Sequence, residues 1–209
     1  MIVLFSRQCK RTQAGHVLLL LLFPLILLTS AGGAETQQNK PLNWSLALMN
    51  VRTGDLIPFS APVQSWTGEK FRLIIDPDTD CFFYVIAESP VENDVGVLYA
   101  GALKKGEWLS PVMELSPPQG SESLFIVASR DEQKALAQRI SAVNTNPSTA
   151  NKRALLNEVF RLRGEVSRFR EEPEKPVLMG GAARGAPEKS QGVEFSGLET
   201  YVKTISIEH

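Results

Sequence analysis

Hydrophobic residues recur in short runs broken by turn clusters from Phe71 to Ser129, the pattern of a β-meander. Cys81 to Ala87 would place Cys81, Phe83, Val85 and Ala87 on one face of a strand and Phe82, Tyr84 and Ile86 on the other. Leu124 to Ala128 repeats this, with Leu124, Ile126 and Ala128 opposite Phe125 and Val127. Both strands are apolar on both faces, so both faces require cover. Upstream, Trp44 to Val51 reads as a strand, and Leu56 to Trp66, with Pro58 and Pro62, as an edge or irregular segment. Phe71 to Ile75, Val95 to Tyr99 and Trp108 to Leu115 complete the strands of this half, the last interrupted by Pro111.

The period then changes. Asp131 to Val143 favours a helix, with acids at its start suiting the helix dipole. Leu155, Val159, Leu162, Val166 and Phe169 form an apolar stripe of helical period, widened by Leu156 and Phe160, which predicts a second helix over 149–170. Residues 171–198 hold Pro173, Pro176, Pro187 and five glycines and are expected to form a flexible loop. Tyr201 to Ile207 returns to alternation and reads as a closing strand whose loss would expose a sheet edge. The predicted fold is mainly β, with β-sandwich-like antiparallel sheets and two helices toward the C-terminus packed on a sheet, α+β overall.

The run CFFYVIAE (81–88), then VGVLYAG (95–101), LKKGEW (103–108), Pro111, SPPQGSES (116–123) and LFIVAS (124–129) resembles a bacterial exported family catalogued as domain of unknown function 4384. Phe83-Tyr84, Leu98-Tyr99, Gly106-Glu107 and Pro118 to Glu122 stand at that family's strand ends and turns. Tyr99 is followed by Ala100 and Gly101 where the family carries an Asn. The similarity spans Trp44 to Ser129. It implies a β-rich fold and an exported location, and no reaction.

Export is also what residues 1–34 suggest. Arg7, Lys10 and Arg11 precede an apolar run from Val17 to Leu28, and Ala31-Gly32-Gly33-Ala34 follows, so cleavage is expected after Ala34. The apolar run is shorter than the roughly 20 residues a spanning helix needs. An uncleaved N-terminal anchor is the alternative. Residues 35–43 read as a flexible lead-in and 44–209 as one β-rich domain of a periplasmic or extracellular protein. Loss of Arg7, Lys10 and Arg11 leaves 19 basic against 23 acidic residues, a net charge of −4. That balance argues against nucleic acid as a partner.

Cys81 would be the one cysteine of the exported chain, which rules out an intramolecular disulfide. It opens a doubly apolar strand and reads as a small buried hydrophobe; a reactive or intermolecularly paired thiol is the alternative. Asp76, Asp78 and Asp80 have the spacing that begins a calcium loop, but Cys81 stands where the loop needs Gly and Ala87 where it needs Glu. A Pro-Asp turn explains the cluster better. His209 would be the one histidine of the exported chain, at a position expected to be poorly held. No zinc-ligand spacing, cofactor motif or catalytic set is recognisable. The second helix carries Lys152, Arg153, Arg161, Arg163, Arg168 and Arg170 against Glu158 and Glu165. Arg161, Arg163, Arg168 and Arg170 are the expected contact residues for a partner. The leading expectation is a non-catalytic exported envelope module that binds another envelope protein. Alternatives are an anionic membrane surface bound through the basic amphipathic helix, and a calcium-dependent binder or hydrolase using the Asp76–Asp80 cluster with Glu88.

Overall fold

In the computed structural model, residues 41–166, 175–178, 191–197 and 199–209 are described. Within them the chain forms β1 (Leu42–Asn50), β2 (Leu56–Ile57), β3 (Val63–Gln64), β4 (Lys70–Pro77), β5 (Cys81–Ser89), β6 (Asp94–Leu103), β7 (Val112–Glu114) and β8 (Ser121–Ser129). Helices α1 (Lys134–Thr145) and α2 (Thr149–Val166) follow, then β9 (Lys175–Leu178), β10 (Gln191–Gly197) and β11 (Thr200–Glu208). One sheet has the order β7-β4-β1-β10-β9, with β2 attached to β1; the other has the order β3-β11-β8-β5-β6. Among the described strands every pairing is antiparallel except β3 with β11.

The two faces of β5 and β8 explain the layering. Cys81, Phe83, Val85 and Ala87, with Leu124, Ile126 and Ala128, face the other sheet and pack with Trp44, Leu46, Leu73 and Ile75. Tyr84, Ile86, Phe125 and Val127 face the helices and pack with Leu136, Ile140, Val143, Leu155, Val159 and Leu162. The fold is therefore mainly β, a two-sheet sandwich with both helices laid on the outer face of one sheet. Trp44 sits between the sheets, stacked on Phe195 at 4.6 Å and edge-on to Phe83 at 5.3 Å.

Local chemistry sets the element ends. Gly68 and Gly106, each at the third position of a β-turn, have φ of +88° and +80°, a region that strains any residue with a Cβ. Ser148 caps α2, its Oγ accepting the Asn151 N–H at 3.3 Å. Gln133 anchors the start of α1: its N–H donates to the Tyr84 hydroxyl at 3.0 Å, and its side-chain amide donates to Ser129 and Thr200 hydroxyls at 2.7 and 3.2 Å.

Several boundaries differ from expectation. α1 begins at Lys134, because Gln133 is tied to the sheet, so Asp131 and Glu132 precede its first turn and add nothing there. β1 takes in Leu42 and Asn43 from the expected lead-in. β4 extends through Asp76 and Pro77, so the acidic cluster starts inside a strand. The largest difference lies in residues 171–198, expected to be one flexible loop. They contain β9 and β10, and β10 pairs with β1 from Leu42↔Gly197 to Leu46↔Val193. The physical reason is an unfilled position beside β1 in the sandwich, which Val193 and Phe195 fill despite their glycine flanks. The closing strand is where alternation put it: β11 pairs with β8 from Thr200↔Ser129 to Glu208↔Ser121. The expected signal peptide, residues 1–34, lies outside the described residues, as do Arg168 and Arg170.

Candidate functional site

The expected partner surface is the outer face of the helices. From Lys134 to Val166 this layer has six cations, Lys134, Arg139, Lys152, Arg153, Arg161 and Arg163, against Glu158 and Glu165. The apolar stripe of α2 is consumed by packing: Leu155, Val159 and Leu162 are buried against the sheet. Arg161 is held on its own helix. It donates to Glu158 at 2.6 and 3.1 Å and to Glu165 at 2.5 Å, which raises its pKa further, Glu158 contributing most. The same bond holds Glu158 below the usual carboxylate range. Arg163 instead lies over the Phe160 ring at 5.1 Å, and Phe160, edge-on to buried Phe125, is 39 % exposed. Lys152 is bonded to Asp94 at 2.6 Å. Arg161 and Arg163 therefore play different parts, one neutralised within the helix and one presented beside an aromatic ring.

The acidic cluster does not converge. The Asp80 carboxylate accepts the Lys105 N–H at 2.9 Å and so closes the neighbouring turn. Asp76 lies on β4, its carboxyl pushed up by burial and then by the charge of Asp78. No group of three or more His, Cys, Asp or Glu side chains suited to a metal occurs among the described residues. Cys81 is buried and free, and burial, with a smaller push from Asp80, raises its thiol pKa to about 12. That is the environment of an inert packing residue.

A second polar constellation, outside every expectation above, lies at the end of the sandwich where β3, β8 and β11 meet. Residue His209, expected to be poorly held, is fixed there. Its N–H donates to the Gly120 backbone oxygen at 2.9 Å, and the Gly120 N–H donates back at 2.8 Å, which extends the β8–β11 ladder by one step. Its imidazole is fully buried. Nδ1 shares a 3.1 Å hydrogen bond with the Thr67 hydroxyl, and Nε2 lies 3.7 Å from Oε1 of Glu122, whose side chain is 8 % exposed. Beside them is an open depression of about 390 Å³ lined by Gln64, Ser65, Gly120, Ser121, Glu208 and His209. Trp66, 76 % exposed, falls between the depression-lining Ser65 and the His209 partner Thr67. Val91, 57 % exposed, lies against Gly120, where a Cβ would come within 2.5 Å of its Cγ2.

Hydroxyl, imidazole and carboxylate in this order match a hydrolytic triad in composition only. An acyl-transfer site also needs free N–H donors for the developing oxyanion. Around Thr67 these are committed: Gly68 N–H donates to Leu115 at 2.7 Å, and Glu69 N–H to Trp66 at 3.0 Å. Comparison with protein-family models, curated proteins and solved structures finds no match to this chain.

Proposed function

We propose that the chain is a non-catalytic exported module that binds another envelope protein through the basic outer face of its helices, with Arg163 and the Arg161-bearing turn of α2 at the centre and Arg168 and Arg170 in the segment that follows. One observation carries the reading: a partly exposed aromatic ring capped by an arginine, Phe160 under Arg163, lies on a layer with an excess of cations. Arginine and aromatic residues together dominate interface energetics, and the surrounding charge favours an acidic partner. The same surface serves a membrane less well. Helices that lie on bilayers bury an apolar face in the lipid boundary, and the apolar stripe of α2 is already spent on the sheet. The membrane-surface reading is left with electrostatic attraction alone. The resemblance to the exported family accords with an envelope location.

Crosslinking of the protein in its native envelope, followed by mass spectrometry, tests the proposal. Arg161, Arg163, Arg168 and Arg170 changed together to Glu should lose a discrete protein partner that the parent captures. Retention of the same partner by the charge-reversed protein, or capture by neither, would refute it. Salt-sensitive binding to anionic vesicles without a protein partner would move the surface to lipid.

A further inference from the structure

The strands that end the two sheets are not alike. β3, β7 and β9 have two, three and four residues, and edges this short resist pairing with another chain. Where β11 runs on beyond β3, it turns Lys203 toward the Phe59 and Phe195 rings, 5.6 Å from each. An inward charge is another guard against edge pairing. β6 is the exception. It has ten residues, pairs with β5 only, and holds no charged residue or proline from Val95 to Leu103. Its Ala100 and Ala102 are exposed. Among the described residues no other main chain bonds to it on the side away from β5. Val95 N–H and Ala102 O are met by side chains of β6 itself, Asp94 at 2.9 Å and Tyr99 at 3.0 Å. A bulge at Leu98 adds twist but no charge. Trp108, 59 % exposed, follows the exit of β6, where the chain crosses to bridge β4 through Ile75↔Leu109.

We propose that β6 is a pairing edge for a second copy of this chain, joined antiparallel about a two-fold axis so that two five-stranded sheets become one. The ends of the strand select this occupant. Glu88, Glu92 and Asp94 stand at its entry, with Lys152 bonded to Asp94. Lys104 and Lys105 stand exposed at its exit, and the nearby Glu107 and Asp80 carboxylates accept their main-chain N–H groups at 3.0 and 2.9 Å. Antiparallel pairing brings the lysines of each copy toward the acids of the other, at both ends, whereas parallel pairing sets acid against acid. Between the ends neither copy brings a charge to the edge. The contact is isologous, so it consumes both long edges at once and association closes at the dimer. Trp108 adds an exposed aromatic anchor beside the exit. The edge is separate from the helical surface, and its failure would leave the partner reading untouched.

Sedimentation equilibrium of the full chain over a concentration series tests the assignment, with hydrogen exchange measured above and below the midpoint of association. A monomer–dimer equilibrium is expected, with the amides of residues 95–103 slowed in the dimer and those of α1 and α2 unchanged. Ala100→Lys with Ala102→Lys, at exposed positions, should raise the dissociation constant about tenfold and leave the unfolding midpoint of the monomer little changed. Lys104→Glu with Lys105→Glu should weaken the dimer as well, because acids then meet acids at both ends. That variant lies outside the strand and decides the question if the first fails to fold. A monomer at every concentration, a dimer whose protection falls on the helices, or a dimer that these substitutions leave intact would overturn the proposal.

Discussion

Phe195→Ala probes the part of the fold that composition concealed. Phe195 lies on β10, is 2 % exposed, stacks on Trp44 at 4.6 Å and meets Tyr201 at 5.1 Å. Truncating a buried Phe costs about 3–5 kcal/mol through lost burial and the cavity left behind. Two aromatic contacts place this site toward the upper end, about 4–5 kcal/mol. For a chain of this size that corresponds to a fall of roughly 8–20 °C in unfolding midpoint. Urea unfolding followed by both far-ultraviolet circular dichroism and tryptophan fluorescence measures it, with an unchanged m-value expected. Phe160→Ala is the internal control. Its ring is 39 % exposed and keeps one edge contact to Phe125, so about 1–2 kcal/mol is expected. A cost below about 1 kcal/mol for Phe195→Ala would refute the placement of β10 in the core, because substitutions in an exposed loop usually stay within about 0.5 kcal/mol.

The Cys81 thiol, raised to about 12 and buried, should resist a thiol reagent at pH 8 in native protein and react on addition of denaturant; rapid native labelling would place it in an accessible pocket. Lys152 holds Asp94 below the usual carboxylate range chiefly through their hydrogen bond. A depressed carboxyl contributes stability above its unfolded pKa of about 3.9 and loses it as pH falls through the folded value. Asp94 is 38 % exposed, so solvent screening limits the contribution to less than about 1 kcal/mol. Lys152→Met should therefore destabilise slightly at pH 7 and converge with the parent once pH falls below the lowered folded-state pKa of Asp94; a difference that persisted there would assign the effect to packing.

What the sequence discloses depends on how local the cause is. Cys81 to Ala87 and Leu124 to Ala128 are apolar on both faces, and that alone required a second covering layer; the stripe at Leu155, Val159 and Leu162 supplied it. β10 escaped because only Val193 and Phe195 alternate between Gly192 and Gly197, and because its stabilisation comes from β1, far away in the chain. The polar end of the sandwich is less local still, since Thr67 and His209 are 142 residues apart. Two signals for it are nevertheless present in strand phase. Tyr201, Ile205 and Ile207 face inward on β11, and the next inward position is His209. Leu124, Ile126 and Ala128 face inward on β8, and the preceding position of that phase is Glu122. The register pairs Ile207 with Glu122 and His209 with Gly120, which sets the two polar side chains diagonally across the strand pair at the end of the apolar row. A charged residue and a histidine that continue adjacent apolar phases are more informative than either alone, because each is desolvated by the packing that aligns it with the other.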